Sequence, residues 1–141
     1  MQVTTETNQA VRDAVGLSTA PQRITLDQTL FDRLAIGIGA DPKAPGPETR
    51  SSLFYMVLMR GEPAWQELRH ILPPSVLDGG GEWTFYSDPS VGSVVSVTNT
   101  LVSADVKAGS RGPMTILTID TKWIDEQDAL LATCTGTAIF Y

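Results

Sequence analysis

The segment GIGADPKAPGP, residues 37–47, places an acidic residue where proteins often carry out chemistry. Asp41 follows a predicted helix and stands in a loop of glycines and prolines, a kind of loop that frequently holds catalytic groups. General acid–base catalysis needs a second proton-transferring group beside such a carboxylate, and the loop contains no histidine. An aspartate before a proline is also a common turn former. The segment by itself therefore leaves two interpretations open, a catalytic aspartate or a helix-terminating turn.

The remaining reactive residue types are few. His70, the single histidine, lies inside QELRHIL, and the chain has no Gly-x-Ser-x-Gly motif, so a Ser-His-Asp site is not predicted. Cys134, the single cysteine, excludes an intrachain disulfide and is predicted to be a small buried residue. No spacing of His, Cys, Asp or Glu resembles a metal site, so neither a metal nor a cofactor is expected. The glycines of residues 79–81 precede a strand, which predicts a bulge or turn, with ligand binding as the alternative.

Composition limits the class of protein. The 141 residues suffice for one domain, and 42% hydrophobic with 18% charged residues predicts a globular chain. A net charge of −6 argues against nucleic-acid binding, because Lys and Arg are few and scattered. The polar, acidic N-terminus does not resemble a signal peptide, and no apolar run has the length of a membrane span. A cytoplasmic location is the resulting expectation.

Helical signals dominate the first half of the chain. Residues 1–22 are polar and predict a flexible N-terminal arm with a short helix over residues 7–15, and residues 23–141 are expected to form a single domain. A second helix is predicted to begin at a capping box of Thr25 and Gln28. It presents one apolar face and ends near Gly37, Gly39 and Pro42; the face comprises Leu30, Phe31, Leu34 and Ile38.

Two further helices are predicted before the first strand. The apolar run SSLFYMVLMRG, residues 51–61, favours a buried helix over a strand. EPAWQELRHIL follows as a short helix with Pro63 in its first turn and Trp65, Leu68 and Leu72 on one side. PPSVLDGGG is predicted to end the helical half.

The hydrophobic period changes to two from Glu82 onward. Alternating segments rich in Val, Thr, Ile and aromatic residues predict strands over residues 82–86, 93–106, 114–124 and 129–141, joined by turns at residues 107–112 and 125–128. The fold class is therefore α+β, with a long antiparallel sheet wide enough to wrap a helix.

Three stretches resemble the MaoC-like hotdog family of (R)-specific enoyl-thioester hydratases and dehydratases, in particular its FAS1-like N-terminal half. FDRLAIGIGADPKAP is similar to the family's helix and loop, Tyr-Ala-x-Ala-x-Gly-Asp-x-Asn-Pro-x-His. The region from LDGGGEWTFYSDPSVG to the C-terminus is similar to its strand motif and long strands, and TKWIDEQDALLAT is similar to its last hairpin. The resemblance covers roughly residues 23–141 and implies a hotdog fold, an antiparallel sheet wrapped around a central helix.

The resemblance also implies where a site would lie. Asp41 matches the family's catalytic aspartate, whereas Gly46 occupies the position of the partner histidine and cannot transfer a proton. Lys43, Ala44 and Ala40 replace the motif's asparagine, proline and glycine. At the strand motif Pro89 and Gly92 match, and Ser93 replaces an aspartate. The residues expected to bind substrate beside Asp41 are Lys43, Tyr55, Gly80, Gly81 and Trp83.

The family's catalytic aspartate–histidine pair, its dyad, is incomplete in this sequence. This suggests a first hypothesis and leaves two others open. The first is a non-catalytic hotdog subunit that shapes an acyl tunnel for an acyl-CoA or acyl-carrier-protein thioester, as a homodimer or with a dyad-bearing MaoC-like partner. The second is a stand-alone hotdog enzyme repurposed as a cyclase in polyketide biosynthesis, which needs a shaped apolar pocket rather than a dyad. The third is a thioesterase-type hotdog or a binding protein, for which Glu62 and Glu67 are the available acids.

Overall fold

A five-stranded antiparallel sheet forms the body of the chain, in the spatial order β1-β3-β4-β5-β2. The structure, a computed structural model, describes residues 5–37, 39, 60–87, 89 and 91–141. Within them the strands are β1 (Gln22–Thr25), β2 (Val76–Phe85), β3 (Val94–Gly109), β4 (Gly112–Ile124) and β5 (Leu130–Phe140). The α-helices of the same residues are α1 (Thr5–Asp13) and α2 (Gln28–Gly37). The prediction of an α+β fold with an antiparallel sheet is confirmed.

The three long strands β3, β4 and β5 agree with the alternating pattern of the sequence. Every second residue points to one buried face, which we call the inner face, because successive side chains of a strand alternate between the two sides of a sheet. The turn at residues 125–128 is confirmed: the Asp125 carboxylate accepts the backbone N–H groups of Gln127 and Ala129 at 2.9 and 2.8 Å. The turn predicted over residues 107–112 is shorter, since β3 and β4 remain paired as far as Gly109 and Gly112.

Strand β2 begins earlier than predicted. PPSVLDGGG was expected to close the helical half, yet residues 76–81 are strand and pair with β5, with a register shift between Asp78 and Gly81. The glycines hid this strand from the sequence pattern because glycine is unfavourable inside strands. The prediction of a bulge at residues 79–81 is confirmed.

Residues 5–22 differ from the flexible arm predicted for residues 1–22. They form helix α1 and a packed connection to β1, with Val11 and Ala14 buried in the core. Backbone hydrogen bonds tie the connection to β3, from the Gly16 N–H to the Leu101 carbonyl and from the Leu101 N–H to the Leu17 carbonyl. The polar composition suggested an arm because only two of its small apolar residues are needed to anchor the helix.

Helix α2 is present where it was predicted, but its cap is different. Thr25 is the last residue of β1, and the side chain of Asp27 receives the Thr29 N–H at 2.6 Å, so Asp27 is the N-cap. Phe31 is buried, as predicted for the apolar face. The side chains of Leu30, Leu34 and Ile38 lie outside the described part of the chain.

The segment EPAWQELRHIL contains a single 3-10 turn, Gln66–Leu68, rather than the predicted helix. Pro73 and Pro74 follow at once and end any helix, and Arg69 donates hydrogen bonds from its guanidinium group to both proline carbonyls. The predicted apolar side is confirmed, because Leu72 is buried and Trp65 and Leu68 pack against the core. The helix predicted over residues 51–61 lies outside the described residues, except for its last two.

The inner face of the sheet carries two hydrophobic clusters. The first surrounds Trp123 and includes Leu26, Phe31, Val95, Val97, Leu131 and Ala132. The second surrounds Phe140 and includes Val11, Ala64, Leu72, Leu101 and Leu117. The sheet between them is the place where polar and small residues meet, and it holds the candidate site.

Candidate functional site

A row of four side chains crosses the inner face between the two clusters. Trp83 on β2 pairs with Cys134 on β5, Cys134 with Thr121 on β4, and Thr121 with Asn99 on β3. Directly opposed residues of neighbouring strands point to the same face and lie in contact distance. Two members of this row, Asn99 and Thr121, are buried polar residues.

The next row along the sheet contains two glycines and borders a pocket. Here Gly81, Gly136, Ile119 and Leu101 follow one another across the same four strands. A cavity of about 400 Å³ lies above this part of the sheet, and Gly136, which has no side chain to fill it, is part of its lining. Its described lining comes from residues 60–65, from the start of β2 and from the inner face of β3, β4 and β5. The volume falls within the ~300–1,000 Å³ of small-molecule sites.

Asn99 fastens one wall of the pocket to the sheet. Its side-chain amide donates to the carbonyls of Arg60 and Glu62, at 2.7 and 2.8 Å, and its Oδ1 accepts the Thr121 hydroxyl at 2.6 Å. Only 3% of Asn99 is exposed. A buried amide with its donors and acceptor satisfied fixes a single geometry, because any other arrangement would leave polar atoms without partners. Asn99 therefore sets the path of residues 60–62 past the pocket.

An aromatic stack supports the same wall from β2. The guanidinium carbon of Arg60 lies 5.2 Å from the ring centroid of Trp83, within cation–π distance. Trp83 in turn stacks on the buried Trp123, with centroids 4.9 Å apart, and on Phe85 at 5.6 Å. The pocket wall is thereby connected to the first hydrophobic cluster.

Asp78 is the carboxylate that the described lining contributes. It pairs with Ala138 in the sheet, so its side chain lies on the inner face at the open edge of β2. Its Oδ1 accepts the backbone N–H of Gly80 at 2.9 Å, and Gly80 adopts a φ of 102°, which favours glycine. The bulge thus turns an acidic group toward an apolar pocket.

The Cys134 sulfur lies close to Gly81 and leaves little space for a side chain at this position. A Cβ at this position would lie 3.1 Å from the Cys134 Sγ, whereas a Cβ at Gly136 would meet its nearest neighbours only at 3.7 and 4.0 Å. A side chain at residue 81 would therefore have to displace the Cys134 sulfur, whereas residue 136 has room for a Cβ.

We expect Gly81→Ala to lower the free energy of unfolding by about 1 kcal/mol, as overpacking of a tight site does. In a Cys134→Ala background the same substitution should be close to neutral, because the opposing sulfur is gone. Urea unfolding of the four variants measures this coupling, and Gly136→Ala serves as the matched control without loss of stability. An equal loss in both backgrounds would show that the sulfur is not the obstacle.

Cys134 has a protonated thiol under ordinary conditions. Burial raises the pKa of this thiol, the nearby carboxylates of Asp78 and Asp120 act in the same direction, and the Arg60 guanidinium opposes them. The thiol is thus a weak nucleophile in the native state. It is also a specific reporter, since it lines the pocket and the chain has no other cysteine.

The raised pKa predicts a loss of stability in alkaline solution. The unfolded thiol ionises near pH 8.5, before the folded one, so the stabilisation is complete below about pH 8.5 and decreases as pH rises through the higher folded pKa. The difference between the unfolding free energies of the natural protein and Cys134→Ala should shrink as pH rises above about 8.5. A pH-independent difference would contradict the assignment.

The residues expected to form a site are distributed as follows. Asp41, Lys43 and Tyr55 lie outside the described residues. Gly80, Gly81 and Trp83 are not among the described residues that line the pocket, but Trp83 stacks under Arg60 and Gly81 lies beneath Cys134, both of which do. The sequence reading missed Asn99, Asp78 and Gly136. Asn99 had a signal: it interrupts the Val and Leu residues at the buried positions of SVVSVTNTL.

Among the described residues no three His, Cys, Asp or Glu side chains lie close enough to hold a metal ion. No helix within the same ranges is both long and apolar enough to cross a membrane. His70 is exposed and does not belong to the lining found for the pocket.

Several solved structures share this architecture. The HadBC (3R-hydroxyacyl-ACP dehydratase) complex from Mycobacterium tuberculosis, C-terminally truncated, matches with a TM-score of 0.66 and 13% identity over 92% of this chain and 98% of its own. The ChsH1–ChsH2 complex from the same organism gives 0.65 and 14%, covering 96% and 94%. The MaoC-like dehydratase from Rhodospirillum rubrum gives 0.59 and 14%, covering 90% and 92%.

These matches define the fold. No protein-family model matches the sequence, and no curated protein is a significant relative. The chain is an α+β protein of the hotdog class. Within that class its fold is the one found in MaoC-like dehydratases and in the HadBC and ChsH1–ChsH2 complexes, as the sequence resemblance predicted.

Proposed function

We propose that this chain belongs to the MaoC-like hotdog family and is a non-catalytic subunit of an enoyl-thioester hydratase or 3-hydroxyacyl dehydratase. The observation that carries the proposal is a hotdog sheet with an apolar pocket in a chain whose single histidine, His70, is exposed and away from that pocket. Addition of water to an enoyl thioester needs a positioned base and acid. A second hotdog chain would supply them, and this chain would shape the space for the acyl group.

The edge strand β2 supports assembly with a partner. In the described residues its outer edge is unpaired, and Val76 and Leu77 are 49% and 54% exposed. The unpaired backbone groups of such an edge can pair with a strand of another chain. The edge also borders the pocket through Val76, Leu77 and Asp78. A partner bound there would cover the apolar residues and complete the pocket wall. The HadBC and ChsH1–ChsH2 structures are themselves complexes.

The proposal is tested by co-expression with hotdog proteins encoded beside it, followed by light scattering and a hydration assay. We expect a heteromeric complex that hydrates crotonyl-CoA or the corresponding carrier-protein thioester at least about 100-fold faster than this chain alone, within the range that acid–base groups contribute. Hydration by the pure chain would refute the subunit assignment. A homodimer that ignores such partners would favour the repurposed cyclase instead.

Asp41 is proposed to be a remnant rather than a catalytic group. In the reconstituted complex Asp41→Asn should leave the hydration rate within about twofold, because both side chains suit a turn. The matched control is the substitution of the corresponding aspartate of the dyad-bearing partner, which should abolish hydration. A comparable loss from Asp41→Asn, with folding intact by circular dichroism, would make Asp41 a catalytic residue.

A further inference from the structure

Gly136 has no structural reason to be a glycine. Its φ is not in the left-handed region, and an added Cβ would meet only ordinary contacts. Glycine in the interior of a strand is unfavourable compared with a residue that has a side chain, so the position carries a penalty that packing does not explain. Ile119, which is paired with Gly136, shows that a large residue fits this face of the sheet. At Gly81, by contrast, the nearby Cys134 sulfur limits the space for a side chain.

We infer that Gly136 determines the size of the ligand by keeping the pocket open. The pocket lies directly over this position, and Gly136 is part of its lining, with Ala138 beside it on the same strand. Any side chain at residue 136 would project from the inner face into the cavity. The missing side chain thus provides the space that an apolar ligand would occupy.

The volume of the cavity indicates the kind of ligand. An apolar cavity of ~150 Å³ holds one benzene molecule, so the observed 400 Å³ corresponds to roughly two to three such groups. This is the size of an acyl group with about 12–16 carbons or of two to three fused rings. The Asn99 amide donors are already engaged by Arg60 and Glu62, and the Thr121 hydroxyl by Asn99. The other polar side chains of the described lining are Arg60, which lies over the Trp83 ring, Thr137, and Asp78, whose Oδ1 accepts the Gly80 N–H.

The inferred ligand is therefore a compact acyl group of about 12–16 carbons. The identification of the ligand as an acyl group rests on the proposed function, whereas the size limit rests on the pocket alone. A much smaller group would leave part of the cavity empty, and a much longer chain would exceed it.

The test measures binding to this chain by itself. The probes are N-acetylcysteamine thioesters of butanoic, octanoic and dodecanoic acid, and occupancy is followed by protection of Cys134 from N-ethylmaleimide, read by mass spectrometry. We expect dodecanoyl to bind most tightly. Gly136→Val should weaken dodecanoyl binding at least about tenfold and change butanoyl binding less than about twofold. The matched control is Thr133→Leu, which adds bulk to the opposite face of the same strand and should change neither.

The outcomes separate the inference from the proposed function. Equal effects of Gly136→Val on all three probes, or labelling of Cys134 that no probe slows, would overturn the inference. If the reconstituted complex hydrates enoyl thioesters but its chain-length preference does not respond to Gly136→Val, the inference fails and the proposed function stands. If binding depends on chain length but no complex hydrates enoyl thioesters, the inference stands and the proposed function fails. Unfolding curves of Gly136→Val confirm that a native fold is being compared.

Discussion

Asn99→Leu is expected to lower the free energy of unfolding by about 3 kcal/mol, although leucine is close to asparagine in size. The substitution removes both donors that hold the Arg60 and Glu62 carbonyls and leaves the buried Thr121 hydroxyl without its acceptor. The hydroxyl loses its partner away from water, whereas the two carbonyls belong to exposed residues and recover part of their hydrogen bonding from solvent. The loss is therefore less than that for three fully buried groups. Urea unfolding followed by circular dichroism measures it.

Two controls separate the network from the change of polarity. Asn8→Leu makes the same substitution where the Oδ1 is buried and has no hydrogen-bond partner within the described residues, so stability should stay the same or increase. Thr121→Val removes one bond of the network and should lose about 1 kcal/mol. If Asn8→Leu and Asn99→Leu were equally harmful, the hydrogen bonds of Asn99 would not be the cause.

Asn99→Asp sharpens the test because it keeps the shape and the acceptor. The ionised carboxylate would face two carbonyl oxygens, which raises its folded-state pKa above the unfolded value near 3.9. The protonated form restores one donor. The variant should therefore be most stable below about pH 4 and lose stability as pH rises through the folded pKa, whereas Asn99→Leu should show no such dependence.

The sequence pattern predicted the strands because their burial alternates over long stretches. Buried residues recur at alternate positions over parts of β3, β4 and β5, most regularly in the first half of β3, and this period is visible in the sequence without knowledge of neighbouring strands. The start of β2 escaped because VLDGGG offers neither alternation nor β-forming side chains. Helix α1 escaped as a packed element because its anchor, Val11, gains its meaning only from the surface it covers.

Apart from the polar Asn99 at a buried strand position, local signals could not predict the site. Trp83, Cys134, Thr121 and Asn99 are far apart in sequence, and only the register of four strands brings them into one row. The inferred role of Gly136 depends on its lack of a side chain, which leaves the pocket open. Local patterns report which residues are buried, whereas a cavity is a property of several strands together. The family resemblance directed attention to the loop around Asp41 and, within this row, to Trp83 alone.

Trp123→Ala is expected to produce the largest single loss of stability, about 3–5 kcal/mol, as removal of a buried aromatic side chain does. Trp123 is 1% exposed and is the largest side chain of the first hydrophobic cluster. Its neighbours come from β1, α2, β3 and β5, so no single element can move to fill the space. The stack of Trp83 on Trp123 is lost as well.

Trp123→Ala should also weaken ligand binding in the pocket, because Trp83 stacks between Trp123 and Arg60, which belongs to the pocket wall. We expect Trp123→Phe to lose less than half as much stability as Trp123→Ala. It should also keep most of the binding of the dodecanoyl probe, since a smaller ring still supports Trp83. Tyr86→Ala, which removes an exposed aromatic residue just beyond β2, should change stability by no more than about 0.5 kcal/mol. Full probe binding by Trp123→Ala, measured under conditions where it is folded, would show that the aromatic stack stabilises the sheet without positioning the pocket wall. Weakened binding alongside a native spectrum would instead identify the stack as the link between core packing and ligand recognition.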